Sequence, residues 1–154
     1  MTTNEGASAQ GYLPDPRNDQ VLVYVNGDFV PRNEARVSVF DSGFVLGDGV
    51  WEGLRLVKGK LISLEAHLDR LFEGARSIAL DIGLTRQGVV AAIEETLARN
   101  GMQDGAHLRL MVTRGLKRTP NQDPRFVVGP ATVVIVAEYK TPLPAAKARG
   151  YALF

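Results

Sequence analysis

Residues 41–55 read Asp-Ser-Gly-Phe-Val-Leu-Gly-Asp-Gly-Val-Trp-Glu-Gly-Leu-Arg, the densest stretch of glycine and functional side chains in the sequence. Its four glycines, between residues 43 and 53, let the backbone turn sharply or approach another group closely. The spacing differs from a dinucleotide-binding fingerprint because the third glycine comes one place late, and no Gly-Lys-Ser/Thr follows as in a P-loop. The pattern alone leaves two interpretations open, a bulged loop leading into a strand or a glycine-flanked strand in a binding site.

The strand that follows these glycines carries candidate binding residues. Alternation along a strand places Trp51, Gly53 and Arg55 on one face. A guanidinium pairs bidentately with a carboxylate, so an arginine beside an aromatic ring on such a strand is suited to bind a carboxylate. Trp51 and Arg55 are therefore candidate substrate-binding residues.

The segments on both sides of this stretch predict an α+β fold. Asn26-Gly27 separates two β-rich segments, and this dipeptide is a strong hairpin signal because both residues tolerate positive φ. Two helical segments follow and strands then resume, an order that predicts a largely antiparallel sheet with two packed helices. The predicted strands are residues 21–25, 29–30, 37–40, 51–57, 61–62, 107–113 and 132–138.

The two helices are predicted from caps and apolar spacing. Ser63 can cap the first helix, in which apolar residues recur at helical spacing from Leu64 to Ala79. Thr85 can cap the second helix, and Gly101 provides a C-terminal stop.

The chain divides into three predicted parts. Residues 1–20 are rich in Gly, Ser, Pro, Asn, Asp and Gln, and predict a flexible arm that packs loosely if at all. Residues 21–140 make up the α+β domain. Residues 141–154 contain Thr-Pro-Leu-Pro and end within an apolar run, which predicts an interdomain linker and the start of a missing C-terminal domain.

Two further segments carry charged side chains at informative spacings. His67 and Arg70 lie three apart on the first predicted helix and point in similar directions. Taken alone, such residues are more often solvated, salt-bridged or structural than functional. In residues 107–113 alternation puts His107 and Arg109 on one face and apolar core residues on the other. The sequence does not tell whether that face is shared with the glycine-flanked strand.

The composition is that of an ordinary globular protein. Among 154 residues, 18 Lys and Arg against 17 Asp and Glu give a net charge of +1, which provides no electrostatic argument for a nucleic-acid or membrane partner. The absence of cysteine removes disulfides, thiolate metal sites and cysteine nucleophiles, and no metal site is predicted. Apolar runs have strand length, and no signal-peptide pattern is visible, so a cytoplasmic protein is expected.

Taken together, five segments resemble the class IV (fold-type IV) pyridoxal-phosphate aminotransferases, which include branched-chain and D-amino-acid aminotransferases and aminodeoxychorismate lyases. The resemblance extends over roughly residues 21–154 and implies the smaller N-terminal domain of such an enzyme, with pyridoxal 5'-phosphate as cofactor and a homodimer as the assembly. The matching segments are VNGDFV at 25–30, FDSG at 40–43, GDGVWEGLR at 47–55, HLDRL at 67–71 and VTRG at 112–115.

The resemblance also implies roles for individual residues. Arg70, in the His-x-x-Arg-Leu segment, would hold the cofactor phosphate. Trp51 and Arg55 would line the substrate pocket, with Arg55 and Arg109 binding substrate carboxylates. His107 stands where branched-chain members often have a tyrosine, so it would also contact the substrate.

No catalytic residue is assigned within the chain, because the resemblance implies a Schiff-base lysine in a second domain, expected beyond Phe154. The 154 residues alone are therefore expected to be inactive. The predicted function of the full-length protein is transamination between an amino acid, branched-chain-like, and a 2-oxo acid. The alternatives are an aminodeoxychorismate lyase-type elimination and a small binding domain without catalysis.

Overall fold

A computed structural model describes residues 12–142, in which two long helices cover one face of a six-stranded sheet. In chain order the elements are β1 (Tyr12–Leu13), a 3-10 turn (Pro16–Gln20), β2 (Leu22–Val25), β3 (Asp28–Pro31), α1 (Ser42–Leu46), β4 (Gly49–Val57), β5 (Lys60–Leu61), α2 (Leu64–Ser77), α3 (Arg86–Arg99), β6 (Ala106–Thr113), a second 3-10 turn (Pro124–Phe126), β7 (Thr132–Tyr139) and β8 (Thr141–Pro142).

The sheet has the strand order β3-β2-β7-β6-β4-β5, and every neighbouring pair is antiparallel. β1 and β8 form a separate antiparallel pair. The three longest strands, β4, β6 and β7, lie side by side. Each alternates buried apolar residues with less buried ones, so one face of these strands covers the core and the other face does not. The predicted α+β class with a largely antiparallel sheet is confirmed.

The core lies between this sheet and the two long helices. Thr85 caps α3 as predicted, its hydroxyl oxygen accepting a hydrogen bond from the Gly88 amide at 3.1 Å. Gly101, at a φ of 62°, follows the end of α3. Each fully buried aliphatic side chain stabilises the fold by about 1.5–3 kcal/mol relative to exposure. Such residues include Leu68 and Leu71 of α2, Val89 and Ile93 of α3, Leu54 of β4, Leu108 and Leu110 of β6, and Ile135 of β7.

The predicted strand at residues 37–40 is wrong. The Ser38 side-chain oxygen accepts a hydrogen bond from the Phe40 amide, and the Ser38 carbonyl accepts one from the Asp41 amide at 2.9 Å. These local bonds close a turn, and they satisfy backbone groups that a strand would offer to a neighbour. The valines that suggested a strand, Val37 and Val39, are exposed instead.

The predicted side-chain cap at Ser63 is also wrong. Ser63 precedes α2 but makes no capping hydrogen bond. Its backbone is left-handed, with a φ of 52°, whereas a capping serine adopts an extended conformation that turns its hydroxyl toward the first helical amides.

Several short elements were not predicted, namely β1, β8, α1 and the two 3-10 turns. α1 begins after Asp41, whose carboxylate accepts a hydrogen bond from the Gly43 amide at 2.8 Å. The Pro16–Gln20 turn lies in the predicted loose arm, yet Asn18 within it is buried and bonded to Tyr139. The structure therefore differs from the prediction for residues 16–20, because the Asn18 amide satisfies backbone groups at the end of β7. Residues 1–11 and 143–154, with most of the predicted linker, lie outside the described residues.

Candidate functional site

The sheet face away from the helices brings four predicted substrate residues together. In the antiparallel register of β4 and β6, Arg55 lies opposite His107 and Gly53 lies opposite Arg109. Directly opposed residues share a face, so Trp51, which alternates with Gly53 and Arg55, also lies on it. This register shows that β4 and β6 present these side chains on one shared face, which the sequence did not tell. We call these four side chains, Trp51, Arg55, His107 and Arg109, the polar face.

Trp51 and Arg109 form one end of the polar face. The Arg109 guanidinium carbon lies 4.1 Å from the centre of the Trp51 ring, within the range of a cation–π contact. Trp51 is 60% exposed, so most of this large ring is free to contact another molecule. At an exposed site the contact contributes only about 0.5–1 kcal/mol. It holds the arginine against the ring and leaves its charge accessible.

Arg55 at the other end is held by the main chain. Its Nη2 donates a hydrogen bond to the carbonyl oxygen of Lys140, just after β7, at 2.7 Å. A neutral carbonyl directs the guanidinium without neutralising it, so Arg55 keeps its charge for an anionic ligand.

His107 lies between the two arginines and is half-buried. Burial lowers the pKa of its imidazole, the positive charges of Lys140, Arg109 and Arg55 lower it further, and Glu138 opposes them. The ring lies against Gly53, where an added Cβ would stand 3.4 Å from Nε2. The lowered pKa favours the neutral imidazole, which can offer a ligand a hydrogen-bonding group rather than a charge.

Arg70, the predicted phosphate anchor, is on the other side of β4. Its Nε donates to Oε1 of Glu52 at 2.6 Å and its Nη2 donates to Oε2, while Nδ1 of His67 lies 2.7 Å from Oε2. Glu52 alternates with Trp51 and Gly53, so its side chain points toward the helices. Arg70 therefore lies apart from the polar face in this chain.

The charge of Glu52 is fixed by these contacts. Burial acts to raise the pKa of its carboxyl, and the hydrogen bonds from Arg70 and His67 outweigh burial, so the pKa is lowered. Because the carboxylate only accepts, Nδ1 of His67 must carry the hydrogen in their contact. The carboxylate in turn raises the pKa of Arg70 through its hydrogen bonds and charge.

Arg70 has the donors that a phosphate requires. Its side chain is 71% exposed although Glu52 holds it. Glu52 accepts hydrogen bonds from Nε and from one N–H of Nη2, whereas Nη1 has no hydrogen-bond partner among residues 12–142. A guanidinium with free N–H groups fixed in direction suits a phosphate dianion, so the residue fits the role that the sequence predicted.

An apolar cavity adjoins the polar face. It has a volume of about 440 Å³, and Met111, which contributes to its lining, lies opposite Trp51 in the register of β4 and β6. The charged residues in its lining are Arg32, Arg36, Asp41 and Glu138. Its floor is an apolar surface on which a hydrocarbon group can pack, made by Val23, Val25, Met111, Val134 and Val136.

The segment Val112–Gly115 has a structural role that sequence reasoning missed. Arg114 donates to both carboxylate oxygens of Asp48, at 2.7 and 3.0 Å, and to the carbonyls of Ile78 and Ala79 after α2. Gly115 has a φ of 94°, and an added Cβ would lie 2.1 Å from the Pro130 carbonyl oxygen, so no other residue fits there. The Asp48–Arg114 pair joins positions far apart in sequence, and no local pattern could have revealed it.

The chain is similar to known proteins over most of its length. A family model described as "Amino-transferase class IV" matches residues 49–153. Branched-chain-amino-acid aminotransferase-like protein 1 of Arabidopsis thaliana is 47% identical over 131 residues, which are 85% of this chain and 24% of that protein. A putative branched-chain-amino-acid aminotransferase of Methanocaldococcus jannaschii is 42% identical over 79% of this chain and 41% of its own length.

A solved structure has the same fold. The branched-chain aminotransferase of the thermophilic archaeon Thermoproteus uzoniensis, in its structure with norvaline, superposes with a TM-score of 0.64 at 28% identity. The match covers 77% of this chain and 40% of that one. The chain thus spans less than half the length of these relatives.

Residues 12–142 contain neither a membrane-spanning helix nor a cluster of metal ligands. No helix there is both long and apolar enough to cross a membrane. No group of three or more His, Asp or Glu side chains in the same residues could hold a metal ion.

Proposed function

The chain belongs to the class IV aminotransferases, and on that premise we propose that it is part of a pyridoxal-phosphate-dependent enzyme that moves an amino group between a branched-chain-like amino acid and a 2-oxo acid. The polar face beside an apolar cavity is the observation that supports this most strongly. Because the chain spans 41% or less of the two curated relatives described above, the activity is proposed for the protein that carries this domain.

In this proposal the chain supplies binding groups. Arg70 holds the cofactor phosphate, with Glu52 fixing the direction of its guanidinium. Arg55 and Arg109 bind the substrate carboxylates, and His107 adds a neutral hydrogen-bonding group between them. Bound pyridoxal phosphate supplies the electron sink that stabilises negative charge at the substrate α-carbon.

The lysine that moves the proton at that carbon is proposed to come from a part of the protein outside these 154 residues. Lys58 and Lys60 lie exposed at the hairpin between β4 and β5. Lys117 is buried, and its Nζ donates to the Asp123 carbonyl at 3.2 Å. Within the described residues none of these three forms a hydrogen bond with a polar-face side chain, whereas Lys140 lies beside that face, its carbonyl bonded to Arg55 and its charge lowering the pKa of His107.

The apolar floor of the cavity supports a preference for substrates with hydrocarbon side chains.

The aminodeoxychorismate lyase-type reaction uses the same cofactor but eliminates pyruvate. Product analysis separates the two reactions, since a transaminase consumes a 2-oxo acid and forms a second one, whereas the lyase releases pyruvate without a 2-oxo acid acceptor. The alternative of a binding domain without catalysis predicts no turnover in the complete protein. A cytoplasmic location stays a prediction from the sequence.

The cofactor role of Arg70 is tested by titrating the complete protein with pyridoxal phosphate and following its absorbance. Replacing Arg70 by Ala is expected to raise the Kd for the cofactor about tenfold or more, because a charge-assisted bond contributes about 1.5–3 kcal/mol. Arg76→Ala is the matched control, since Arg76 is an exposed arginine further along α2. An unchanged Kd in Arg70→Ala, or an equal rise in both variants, would contradict the assignment.

A further inference from the structure

The Pro16–Gln20 turn completes the free edge of β7. β2 pairs with β7 only through Tyr24 with Ile135 and Val25 with Val134. Beyond Ile135 no strand among the described residues pairs with that edge. There the side-chain amide of Asn18 makes the hydrogen bonds that a neighbouring strand would make. Its Nδ2 donates to the Tyr139 carbonyl at 2.9 Å, and the Tyr139 amide donates to its Oδ1 at 2.7 Å.

Neighbouring residues reinforce this contact. The guanidinium carbon of Arg17 lies 3.5 Å from the centre of the Tyr139 ring. Arg32 donates through Nη1 to the Asn18 carbonyl at 3.2 Å, and the same atom lies 2.8 Å from a carboxylate oxygen of Glu138. Asn18 itself is buried, so both of its amide bonds are shielded from water. The turn thus contacts Tyr139 through the Asn18 amide and the Arg17 guanidinium, and Arg32 connects the turn to Glu138.

The strand end held in this way also contacts the polar face. Glu138, before Tyr139, lies opposite His107 in the register of β6 and β7. Lys140, after Tyr139, accepts the hydrogen bond from Arg55 with its carbonyl oxygen. A displacement of Tyr139 would therefore move both the anchor of Arg55 and the carboxylate beside His107.

We propose that Asn18 is a positioning residue for substrate binding, which acts through Tyr139 and Lys140 on the guanidinium of Arg55. This inference rests on the proposed function, in which Arg55 binds a substrate carboxylate. Asn18 touches neither the polar face nor Arg70, so its effect falls on the substrate and not on the cofactor.

The test is Asn18→Ala in the complete enzyme, with KM, kcat and the Kd for pyridoxal phosphate measured separately. KM for the 2-oxo acid is expected to rise about three- to tenfold, because the guanidinium loses its fixed direction. The cofactor Kd is expected to stay unchanged, since the hydrogen bonds of Asn18 go to Tyr139 and Arg32 and not to Arg70 or Glu52.

Asn100→Ala is the matched control. Asn100 makes the same pair of bonds with another strand: its Nδ2 donates to the Leu22 carbonyl at 2.9 Å, and the Leu22 amide donates to its Oδ1 at 2.7 Å. The Asn100→Ala substitution removes an equivalent pair of hydrogen bonds from β2, which carries no polar-face residue. A rise in KM in Asn18→Ala and not in Asn100→Ala supports the proposal. An unchanged KM, or an equal rise in both variants, overturns it.

A second pair of variants decides the matter if Asn18→Ala does not fold. Arg17→Ala removes the exposed guanidinium stacked on Tyr139 and leaves Asn18 in place. Its control is Arg125→Ala, because Asp123-Pro124-Arg125 repeats the Asp15-Pro16-Arg17 turn with the same ion pair. A KM raised about twofold or more in Arg17→Ala alone supports the proposal, and an unchanged KM overturns it.

Arg55→Ala separates this inference from the proposed function. If Arg55→Ala raises KM and Asn18→Ala does not, only the role of Asn18 is wrong. If Arg55→Ala itself leaves KM unchanged, the assignment of Arg55 to the substrate carboxylate is wrong, and the role of Asn18 falls with it.

Discussion

At the scale of single residues, Glu52 shows what the alternation along a strand can and cannot predict. Alternation along β4 predicts that Glu52 points away from Trp51 and Arg55, and the structure has this arrangement. Its contacts with His67 and Arg70 bridge 15 and 18 positions and depend on how α2 packs across β4. No local pattern contains that information. Alternation therefore predicts which residues of each strand share a face, but it predicts neither the meeting of the β4 and β6 faces nor the partner of Arg70.

We predict that Glu52→Gln destabilises the protein by about 1–3 kcal/mol at pH 7, because Arg70 and His67 lose the carboxylate that accepts their hydrogen bonds. The folded-state pKa of Glu52 is lowered, so the unfolded chain takes up a proton first as the pH falls. The stability that this carboxylate contributes is present above its ordinary pKa of about 4.5 and is lost as the pH falls through the folded value. Urea unfolding between pH 7 and pH 3 should show a smaller acid-induced loss in the variant.

Glu65→Gln is the control for this prediction. Glu65 pairs with Arg86, but its side chain is 76% exposed, and exposed pairs contribute little. Its unfolding curve should stay close to that of the unchanged protein at both ends of the pH range. Equal destabilisation by both substitutions would show that burial of Glu52 has no special effect.

At the scale of elements, the sequence predicted the long strands and helices because each has a periodic apolar face. The hairpin around Asn26-Gly27 and the strands β6 and β7 fall close to their predicted bounds. The errors fall where a few hydrogen bonds decide the conformation, in the turn at Ser38–Asp41, at α1 and in the Pro16–Gln20 turn. Such segments are too short for periodicity to show, so side-chain contacts that only the fold creates determine them.

The two helix caps give a prediction at this scale. Thr85→Ala is expected to destabilise the protein by about 1 kcal/mol, since it removes the hydrogen bond that the Gly88 amide donates to the threonine. Ser63→Ala is the control, because Ser63 occupies the same position before α2 but makes no capping bond, and little change is expected. Thermal unfolding of both variants measures the difference. Equal losses would mean that the capping bond at Thr85 contributes nothing measurable.

At the scale of the whole molecule, apolar side chains are exposed around the cavity on the open sheet face. Phe44 on α1 is 70% exposed, and both Phe44 and Val37 line the cavity. Val39 and Phe40 in the preceding turn are also exposed. An exposed apolar patch of this kind marks a contact surface in a soluble protein. We propose that the complete protein is a homodimer, as the family resemblance implies, and that this region contributes to its interface.

Phe44→Glu tests this proposal through the mass of the complete protein in sedimentation equilibrium. A charge in the middle of an apolar interface would lose its hydration on association, so the variant is expected to sediment mainly as a monomer while the unchanged protein sediments as a dimer. Ile62→Glu is the control, because Ile62 is also exposed but follows β5 at the far edge of the sheet, and it should leave the dimer intact. Both positions are exposed in the folded chain, so neither substitution should change the circular dichroism spectrum. A monomeric unchanged protein would exclude the homodimer, and a dimeric Phe44→Glu variant would place the interface on another surface.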